Sequence, residues 1–156
     1  MKKVAIFDLD GCIIDSSHRY KTIIEKGIER IDLEHWRENE PKACQDTFLP
    51  TFYLDYLPAI DCGDIVIVAT ARVLNDPDRT FLSHYMPKPD FIISRPEGCN
   101  TSGGKLKVSG LKKLFNLKQF TNVSDIVVYE DNATYLKYIC DKLQCRGIYI
   151  PSNQGH

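Results

Sequence analysis

The sequence predicts an α/β fold in which helices cover both faces of a parallel sheet of about five strands. Two observations carry this prediction. Short β-branched runs alternate with longer segments of helical period, which is typical of βαβ units. The runs also lack strict apolar–polar alternation, as expected of strands that are covered on both faces. Together these patterns indicate a three-layer α/β/α sandwich with a Rossmann-like sheet.

Five runs are predicted to form the strands. Each is rich in branched or aromatic apolar residues and ends at polar or turn residues, as strands of a buried sheet commonly do. In chain order they are VAIF (4–7), IVIVA (65–69), FII (91–93), IVVY (126–129) and GIYI (147–150).

Five helices are predicted from apolar residues at helical spacing. Their apolar residues are, in chain order, Ile24, Ile28 and Ile31; Phe52, Tyr53 and Leu57; Phe81, Leu82 and Tyr85; Val108, Leu111, Leu114 and Phe115; and Leu136, Ile139, Cys140 and Leu143. The second helix is expected to end near Pro58. Asp76 and Pro77 are the expected N-cap and first-turn proline of the third. Asp131 or Asn132 is the expected cap of the fifth.

The segment between the first two strands is longer than one crossover helix requires. It holds either two ordinary crossover helices or, at most, a small helical insertion within residues 16–60, and no large cap is expected. The length of 156 residues fits one folding unit, so residues 1–156 are predicted to form a single domain.

Composition argues against several classes of partner. The chain has 20 basic and 21 acidic side chains, so its overall charge does not attract nucleic acid or an anionic membrane. No run approaches membrane-spanning length, and a cytoplasmic location without a membrane partner is expected. The six cysteines form no C-x-x-C pair and are expected as free thiols. Nothing in the sequence indicates the oligomeric state.

Polar side chains follow four of the predicted strands, at the edge where open parallel sheets bind ligands. They are Asp8 and Asp10; Thr70 and Arg72; Ser94 and Arg95; and Glu130 and Asp131. Asp8 and Asp10 point to the same side of an extended chain, and a shared divalent cation would relieve their repulsion. Glu130 and Asp131 would add a carboxylate ligand, giving the oxygen-rich setting that Mg²⁺ prefers.

Other residues at this edge suit a phosphate group. Gly11 permits a sharp turn that directs backbone N–H groups at an anion, and Thr70 offers a hydroxyl. A lysine in the helix after the SGG loop (102–104), either Lys105 or Lys107, would neutralise charge on the nucleophile and the phosphoryl group. The sequence therefore predicts a metal and phosphate site.

In these motifs the chain resembles the haloacid-dehalogenase-like (HAD) phosphohydrolases. FDLDGC (7–12), IVIVATAR (65–72) and VVYEDN (127–132) are similar to the first, second and fourth motifs of that family, in the expected order. For the third-motif lysine, LKVSGL (106–111) favours Lys107 over Lys105. Two residues depart from the pattern: Cys12 stands in place of Thr or Val, and Glu130 in place of the first Asp of the commoner pair.

The resemblance implies a Mg²⁺-dependent phosphomonoester hydrolase with an aspartyl-phosphate intermediate. Asp8 would attack phosphorus, and Asp10 would protonate the leaving oxygen and then activate water. Mg²⁺ would be held by Asp8, the main-chain carbonyl of Asp10 and Asp131. Glu130 would either support the metal through a water or position another group. The phosphoryl group would be held by Thr70, Lys107 and the amides near Gly11.

The substrate is predicted from a narrower resemblance. T-A-R (70–72), R-P (95–96) and a helix that opens with lysine are similar to the phosphatase domain of polynucleotide kinase-phosphatases. This implies a nucleic-acid or nucleotide phosphatase, such as a polynucleotide 3′-phosphatase, in which Arg72, helped by Arg95, binds the substrate phosphate or a neighbouring group. Lys105 is a further candidate for substrate binding. The alternatives are a 5′-nucleotidase or another small-molecule phosphatase and, from a different class, a non-catalytic module that binds a metal or phosphate.

Overall fold

The structure is a computed structural model that describes residues 2–152. Over this part of the chain the strands are β1 (Lys2–Phe7), β2 (Ile14–Asp15), β3 (Thr22–Glu25), β4 (Ile28–Ile31), β5 (Thr47–Phe48), β6 (Ile65–Ala69), β7 (Phe91–Ile93), β8 (Val123–Glu130) and β9 (Arg146–Tyr149). The helices are α1 (Leu33–Glu38), α2 (Leu57–Asp61), α3 (Asp76–Tyr85), α4 (Gly103–Leu114) and α5 (Ala133–Leu143). None of these helices has both the length and the apolar character needed to cross a membrane.

The central sheet has five parallel strands in the order β7-β6-β1-β8-β9. They contain four of the predicted runs in full and the fifth up to Tyr149, because β9 ends one residue before the predicted end. β1 lies in the middle, and its last residue, Phe7, is level with Val68 on one side and Tyr129 on the other. Because parallel strands end at the same edge, the residues after β1, β6 and β8 meet there.

Two apolar clusters, one on each face of the sheet, complete three layers. Side chains of alternating residues in β1 separate to the two faces, as the pleat requires. Phe7 packs on one face with residues of α2 and α3, among them Phe81. Ile6 packs on the other with Leu111 of α4 and Ile139 of α5. This arrangement confirms the predicted α/β/α sandwich.

The helix predicted from Ile24, Ile28 and Ile31 is wrong, because this segment is an antiparallel hairpin of β3 and β4. Lys26 and Gly27 both have positive φ, 52° and 76°, as the two central residues of a tight hairpin turn often do. Ile24 and Ile28 are 78% and 68% exposed. Their spacing of four residues therefore matched a helical face by coincidence, and no buried face exists.

Two predicted helix boundaries also need correction. A π-helical turn at Phe52–Tyr56 leads directly into α2, so the helix continues past Pro58. Pro58 lies in the first turn of α2, where its missing N–H is tolerated. The N-cap of α3 is Asn75 rather than Asp76: the Asn75 side chain accepts a hydrogen bond from the Asp78 N–H, and the Asp78 side chain accepts one from the Asn75 N–H.

The segment between β1 and the helix at residue 52 is only partly helical. It contains a short β2–β5 ladder, the β3–β4 hairpin, α1 and a 3₁₀ turn at Glu40–Gln45. We call this segment, residues 14–48, the insertion. It is small, as predicted, but about a third of its residues lie in strands. Its position above the carboxyl edge of the sheet makes it part of the cavity described below.

Truncation of Leu111 tests the packing of α4 on the sheet. Its side chain is fully buried, so Leu111→Ala should lower the free energy of unfolding by about 2–5 kcal/mol through lost burial and a cavity. Leu54, which is 73% exposed, is the matched control, and Leu54→Ala should change stability by no more than about 0.5 kcal/mol. Urea denaturation measures both, and equal losses would contradict the assigned core.

Candidate active site

Lys107 joins two carboxylates at the carboxyl edge of the sheet. Asp8 directly follows β1, and Glu130 is the last residue of the neighbouring β8. Lys107 Nζ, brought in by α4, lies 2.8 Å from Asp8 Oδ1 and 2.6 Å from Glu130 Oε2. All three side chains are buried. Lys105, the other candidate for the motif lysine, is exposed two residues earlier on the same helix.

The carboxylates of Asp8, Glu130 and Asp131 form a cluster suited to a cation. One oxygen from each lies within 4.8 Å of the others. Asp131 Oδ2 is buried without a hydrogen-bond donor among the described residues. Both Glu130 oxygens have donors, since Oε1 accepts the Asn132 N–H at 3.2 Å and Oε2 accepts from Lys107. A hard divalent cation fits this all-oxygen set, with Asp8 and Asp131 the carboxylates best placed to bind it.

The electrostatics of the cluster show an excess of negative charge. Burial raises the pKa of Asp131 and of Glu130, and the adjacent Asp8 adds to both shifts. Burial alone would lower the pKa of Lys107, but Asp8 and Glu130 outweigh it and raise that pKa. One ammonium thus faces three carboxylates, so the cluster has a net negative charge that a bound cation could offset.

Gly11 provides the turn that follows the two aspartates. Its φ of +77° lies in the left-handed region that favours glycine. A Cβ at this position would overlap the Asp131 carboxylate and would come within 2.7 Å of Ser152 Oγ. The chain can therefore approach Asp131 this closely only with glycine at position 11.

Asp10 is bound by Arg72 and Ser16, not by the carboxylate cluster. Arg72 Nε donates to Asp10 Oδ2 at 2.6 Å and Nη2 to Oδ1 at 3.2 Å, while Ser16 Oγ donates to Oδ1 at 2.6 Å. Burial would raise the pKa of Asp10, but Arg72 outweighs it and the pKa is lowered. The sequence predicted Arg72 as a substrate contact, and in the structure its guanidinium contacts Asp10.

Thr70 and Arg95 flank the same cavity with different roles in the structure. Thr70 is buried at the end of β6, and its Oγ1 accepts the Arg72 N–H at 3.4 Å. Arg95 donates to three main-chain carbonyls, at 2.6 Å to Ala71, 2.9 Å to Cys99 and 2.6 Å to Thr101. Its guanidinium therefore fixes the loop after β7. Lys105 does not line the cavity.

A cavity of about 730 Å³ opens above these residues. Asp8, Asp10, Thr70, Lys107 and Asp131 form its floor. The insertion forms its roof with side chains that include Tyr20, Ile31, Leu33 and Trp36. The site thus combines a charged floor and a partly apolar roof, as small-molecule sites commonly do.

Sequence patterns did not reveal three of the residues that shape the site. Ser16 contacts Asp10, the Tyr135 ring lies 5.7 Å from Lys107 Nζ, and Asp78 binds Arg72 at 2.7 Å. Asp78 belongs to the sequence N-D-P-D, which indicates a helix cap. Its contact with Arg72 could have been suspected, because Asp78 is a carboxylate in the first turn of the helix that follows the T-A-R motif.

The bacteriophage T5 5′-deoxynucleotidase family matches residues 1–139 of the chain. The chain belongs to this family. The match covers every strand-end motif, from Asp8 to Asp131, and the whole insertion. A search of curated protein sequences finds no significant match.

The fold of this family member is similar to several solved structures at low sequence identity. A chain of the Pnkp1/Rnl/Hen1 RNA repair complex has a TM-score of 0.64 and 18% identity, covering 97% of this chain and 43% of that chain. A Clostridium difficile protein assigned as a phosphatase has a TM-score of 0.66 and 16% identity, and the match covers 95% of this chain and 84% of that chain. CbbY from Rhodobacter sphaeroides, in complex with phosphate, has a TM-score of 0.65 and 13% identity, and the match covers 97% of this chain and 87% of that chain. The present chain thus spans less than half of the repair-complex chain.

These findings confirm the predicted HAD-like fold, and the family that the chain belongs to is one of 5′-deoxynucleotidases. The predicted roles of the individual residues rest on the geometry described above. That geometry brings Asp8, Lys107, Glu130 and Asp131 into one cluster, and places Asp10 and Thr70 beside it. It pairs the guanidinium of Arg95 with main-chain carbonyls of the segments after β6 and β7, and it leaves Lys105 outside the cavity.

Substitution of the two candidate lysines distinguishes their positions. Lys107→Met should lower the free energy of unfolding by about 3–5 kcal/mol, because removing one partner leaves buried carboxylates uncompensated. Lys105→Met is the matched control, and its loss should stay within about 0.5 kcal/mol because that side chain is exposed. Urea denaturation in the presence of a chelator measures both. Similar values for the two variants would contradict the placement of Lys107 in the cluster.

Proposed function

We propose that the protein is a Mg²⁺-dependent 5′-deoxynucleotidase that works through an aspartyl-phosphate on Asp8. The observation that carries this proposal is the buried Asp8–Lys107–Glu130 contact at the floor of a roofed cavity. A carboxylate held by a lysine can attack phosphorus, because the ammonium offsets the repulsion between the carboxylate and the phosphate. Membership of a 5′-deoxynucleotidase family supports the same activity.

Asp8 and Asp10 would divide the chemistry between them. A carboxylate oxygen of Asp8 attacks phosphorus, the bond to the ester oxygen breaks, and Asp10 gives that oxygen a proton. Asp10 then takes a proton from water, which attacks the acyl-phosphate and releases inorganic phosphate. The contact with Arg72 favours the carboxylate form of Asp10 that this second step requires. The proton that Asp10 takes from water restores its acid form for the next turnover.

Asp8, Asp131 and the main-chain carbonyl of Asp10 would hold Mg²⁺. The buried Asp131 oxygen that lacks a donor supports this assignment. When bound, Mg²⁺ would supply the positive charge that lets three carboxylates and a phosphate lie together. Glu130 would act on Lys107 instead, since both of its oxygens already accept hydrogen bonds. Thr70 and the amides near Gly11 would bind the phosphoryl oxygens.

The roof favours a mononucleotide over a polymer end as substrate. The cavity volume of about 730 Å³ lies within the range of small-molecule sites. Trp36 and Tyr20 present aromatic surface to it, which suits a nucleobase. The guanidiniums of Arg72 and Arg95 already have partners within the protein: the first binds Asp10, and the second binds the main-chain carbonyls of Ala71, Cys99 and Thr101. A polynucleotide 3′-phosphatase remains the second candidate, supported by the T-A-R and R-P motifs.

A substrate panel tests the proposal. Purified protein is incubated with Mg²⁺ and 5′-deoxynucleoside monophosphates, 5′-ribonucleotides, 3′-deoxynucleotides or a 3′-phosphorylated oligonucleotide, and phosphate release is measured. We expect the highest kcat/KM with the 5′-deoxynucleotides. Preferential release from the oligonucleotide would replace the proposal with the 3′-phosphatase, and no release from any substrate would reject both.

Substitution of the two aspartates tests the division of roles. Asp8→Asn should abolish turnover, because the amide is not a nucleophile. Asp10→Asn should reduce kcat/KM by about 10²–10⁴-fold, the usual contribution of a general acid. Asp61→Asn, at the exposed end of α2, is the control and should leave activity unchanged. A phosphorylated Asp8 detected by mass spectrometry after acid quench would support the intermediate, and full activity of Asp8→Asn would contradict it.

Two glycine variants test the metal site. Gly11 and Gly27 share a φ near +77° and +76°, so alanine strains the backbone alike at both. Only at Gly11 would the new Cβ displace the Asp131 carboxylate, because nothing lies within 4 Å at Gly27. We therefore expect Mg²⁺ to raise the unfolding temperature of the native protein and of Gly27→Ala, but not of Gly11→Ala. An equal rise in all three would contradict the assigned Mg²⁺ ligands.

A further inference from the structure

A chain of alternating charges connects the insertion to Asp10. Its members, from the insertion inward, are Asp46, Arg19, Asp78, Arg72 and Asp10. We propose that Arg19 and Asp78 are positioning residues for the hydrolysis: they hold Arg72, and through it Asp10, in place for proton transfer to the leaving oxygen. This inference rests on the proposed function, and it assigns to the insertion a part in the chemistry as well as in covering the cavity.

Asp78 is the central link of the chain. Its Oδ1 accepts from Arg19 Nη2 at 2.9 Å, and its Oδ2 lies 2.7 Å from Arg72 Nη1. Each carboxylate oxygen therefore faces a different guanidinium. Asp78 also closes the N-terminal cap of α3, so its position is set by the core of the fold. A rigid carboxylate in this place fixes the orientation of Arg72 from the side opposite to Asp10.

Arg19 extends the chain into the insertion. Its side chain has 0% exposure, and its Nε lies 3.1 Å from Asp46 Oδ1. Full burial of a guanidinium costs several kcal/mol unless it is paired on more than one side. An ion pair that served only to attach the insertion to the core would be expected nearer the surface, where less free energy is lost by desolvating the two charges. The burial of Arg19 thus points to a demand for a fixed geometry.

Trp36 covers both guanidiniums. Its ring centroid lies 4.5 Å from Arg19 Cζ and 5.2 Å from Arg72 Cζ. Cations at such distances from an indole are attracted to it, and the ring also shields them from water. Trp36 belongs to the roof of the cavity, so the roof and the charged chain form one packed unit.

The carboxylate of Asp10 needs such support because the isolated bridge between Asp10 and Ile14 fixes the main chain but not the side chain. Asp10 lies beyond the end of β1, directly before Gly11 with its positive φ. A general acid has to be within hydrogen-bond distance of the leaving oxygen, and displacement by about 1 Å can reduce the rate by up to 10²-fold. The two oxygens of Asp10 are held by Arg72 and Ser16, and Arg72 is held in turn by Asp78.

The proposal makes a prediction that depends on the leaving group. A deoxynucleotide has an alkoxide leaving group that must be protonated, whereas the phenolate of an aryl phosphate leaves readily without a proton. In Asp78→Asn, kcat/KM should therefore fall at least about tenfold for the 5′-deoxynucleotide and less than about threefold for p-nitrophenyl phosphate. The attack by Asp8 is common to both substrates and is unaffected.

Two further variants keep this test decisive. Phe120→Leu, in the core at the opposite end of the sheet, is the control for lost stability. It should not lower kcat/KM for the 5′-deoxynucleotide more than kcat/KM for p-nitrophenyl phosphate. Asp46→Asn breaks the chain at its far end without touching Arg72 or Asp10, and should lower the deoxynucleotide kcat/KM selectively by a smaller factor. It carries the test alone if Asp78→Asn does not fold.

The outcomes separate this proposal from the proposed function. If the native protein hydrolyses both substrates and the variants lose kcat/KM for both in equal proportion, or for neither, the positioning role is overturned. The charged chain then serves only to hold the structure together. If the native protein hydrolyses the aryl phosphate but no deoxynucleotide, the proposed substrate is wrong. A selective loss in Asp78→Asn and in Asp46→Asn, absent from Phe120→Leu, supports the inference.

Discussion

The buried contact of Lys107 with Asp8 and Glu130 is the interaction on which the rest of the site depends. The parallel register of β1 and β8 brings Asp8 next to Glu130 and Asp131, and three carboxylates so close would repel one another in a low-dielectric interior. The ammonium from α4 makes the cluster tolerable and leaves a remaining negative charge. That remainder is what suits the edge of this sheet to a divalent cation and, through the cation, to a phosphate.

Much of the fold could be predicted from the sequence because the sheet is buried on both faces. Strands of that kind read as short branched apolar runs, and the polar residue after each run marks the binding edge. The insertion could not be predicted in the same way. The spacing of four residues between Ile24 and Ile28 fits one face of a helix, but it also occurs across this hairpin. Only the left-handed Lys26–Gly27 turn distinguishes the hairpin from a helix. That turn signal was weaker than the apolar spacing.

The identity of the site residues was partly readable and their contacts were not. Asp8, Asp10, Thr70 and Asp131 follow strand ends, so topology alone brings them together. The choice between Lys105 and Lys107 depends on which face of α4 is buried, and LKVSGL favoured Lys107, which is the buried one of the two. For Arg72 and Arg95, no pattern shows which acceptor a long, flexible side chain will contact. Asp10 is one such acceptor, and the carbonyls of the loop after β7 are the others.

The insertion links two properties that many enzymes keep separate. In open α/β folds, specificity usually resides in loops that can vary while the catalytic edge stays constant. Here Trp36 lines the roof and packs against Arg19 and Arg72, and Arg72 binds Asp10. A change of roof that moved Trp36 would therefore move Asp10, the proposed proton-transfer group, as well. Such coupling restricts the roof to sequences that keep Arg72 in place. Under the proposed mechanism, hydrolysis of substrates with poor leaving groups would depend on an intact cover over the cavity.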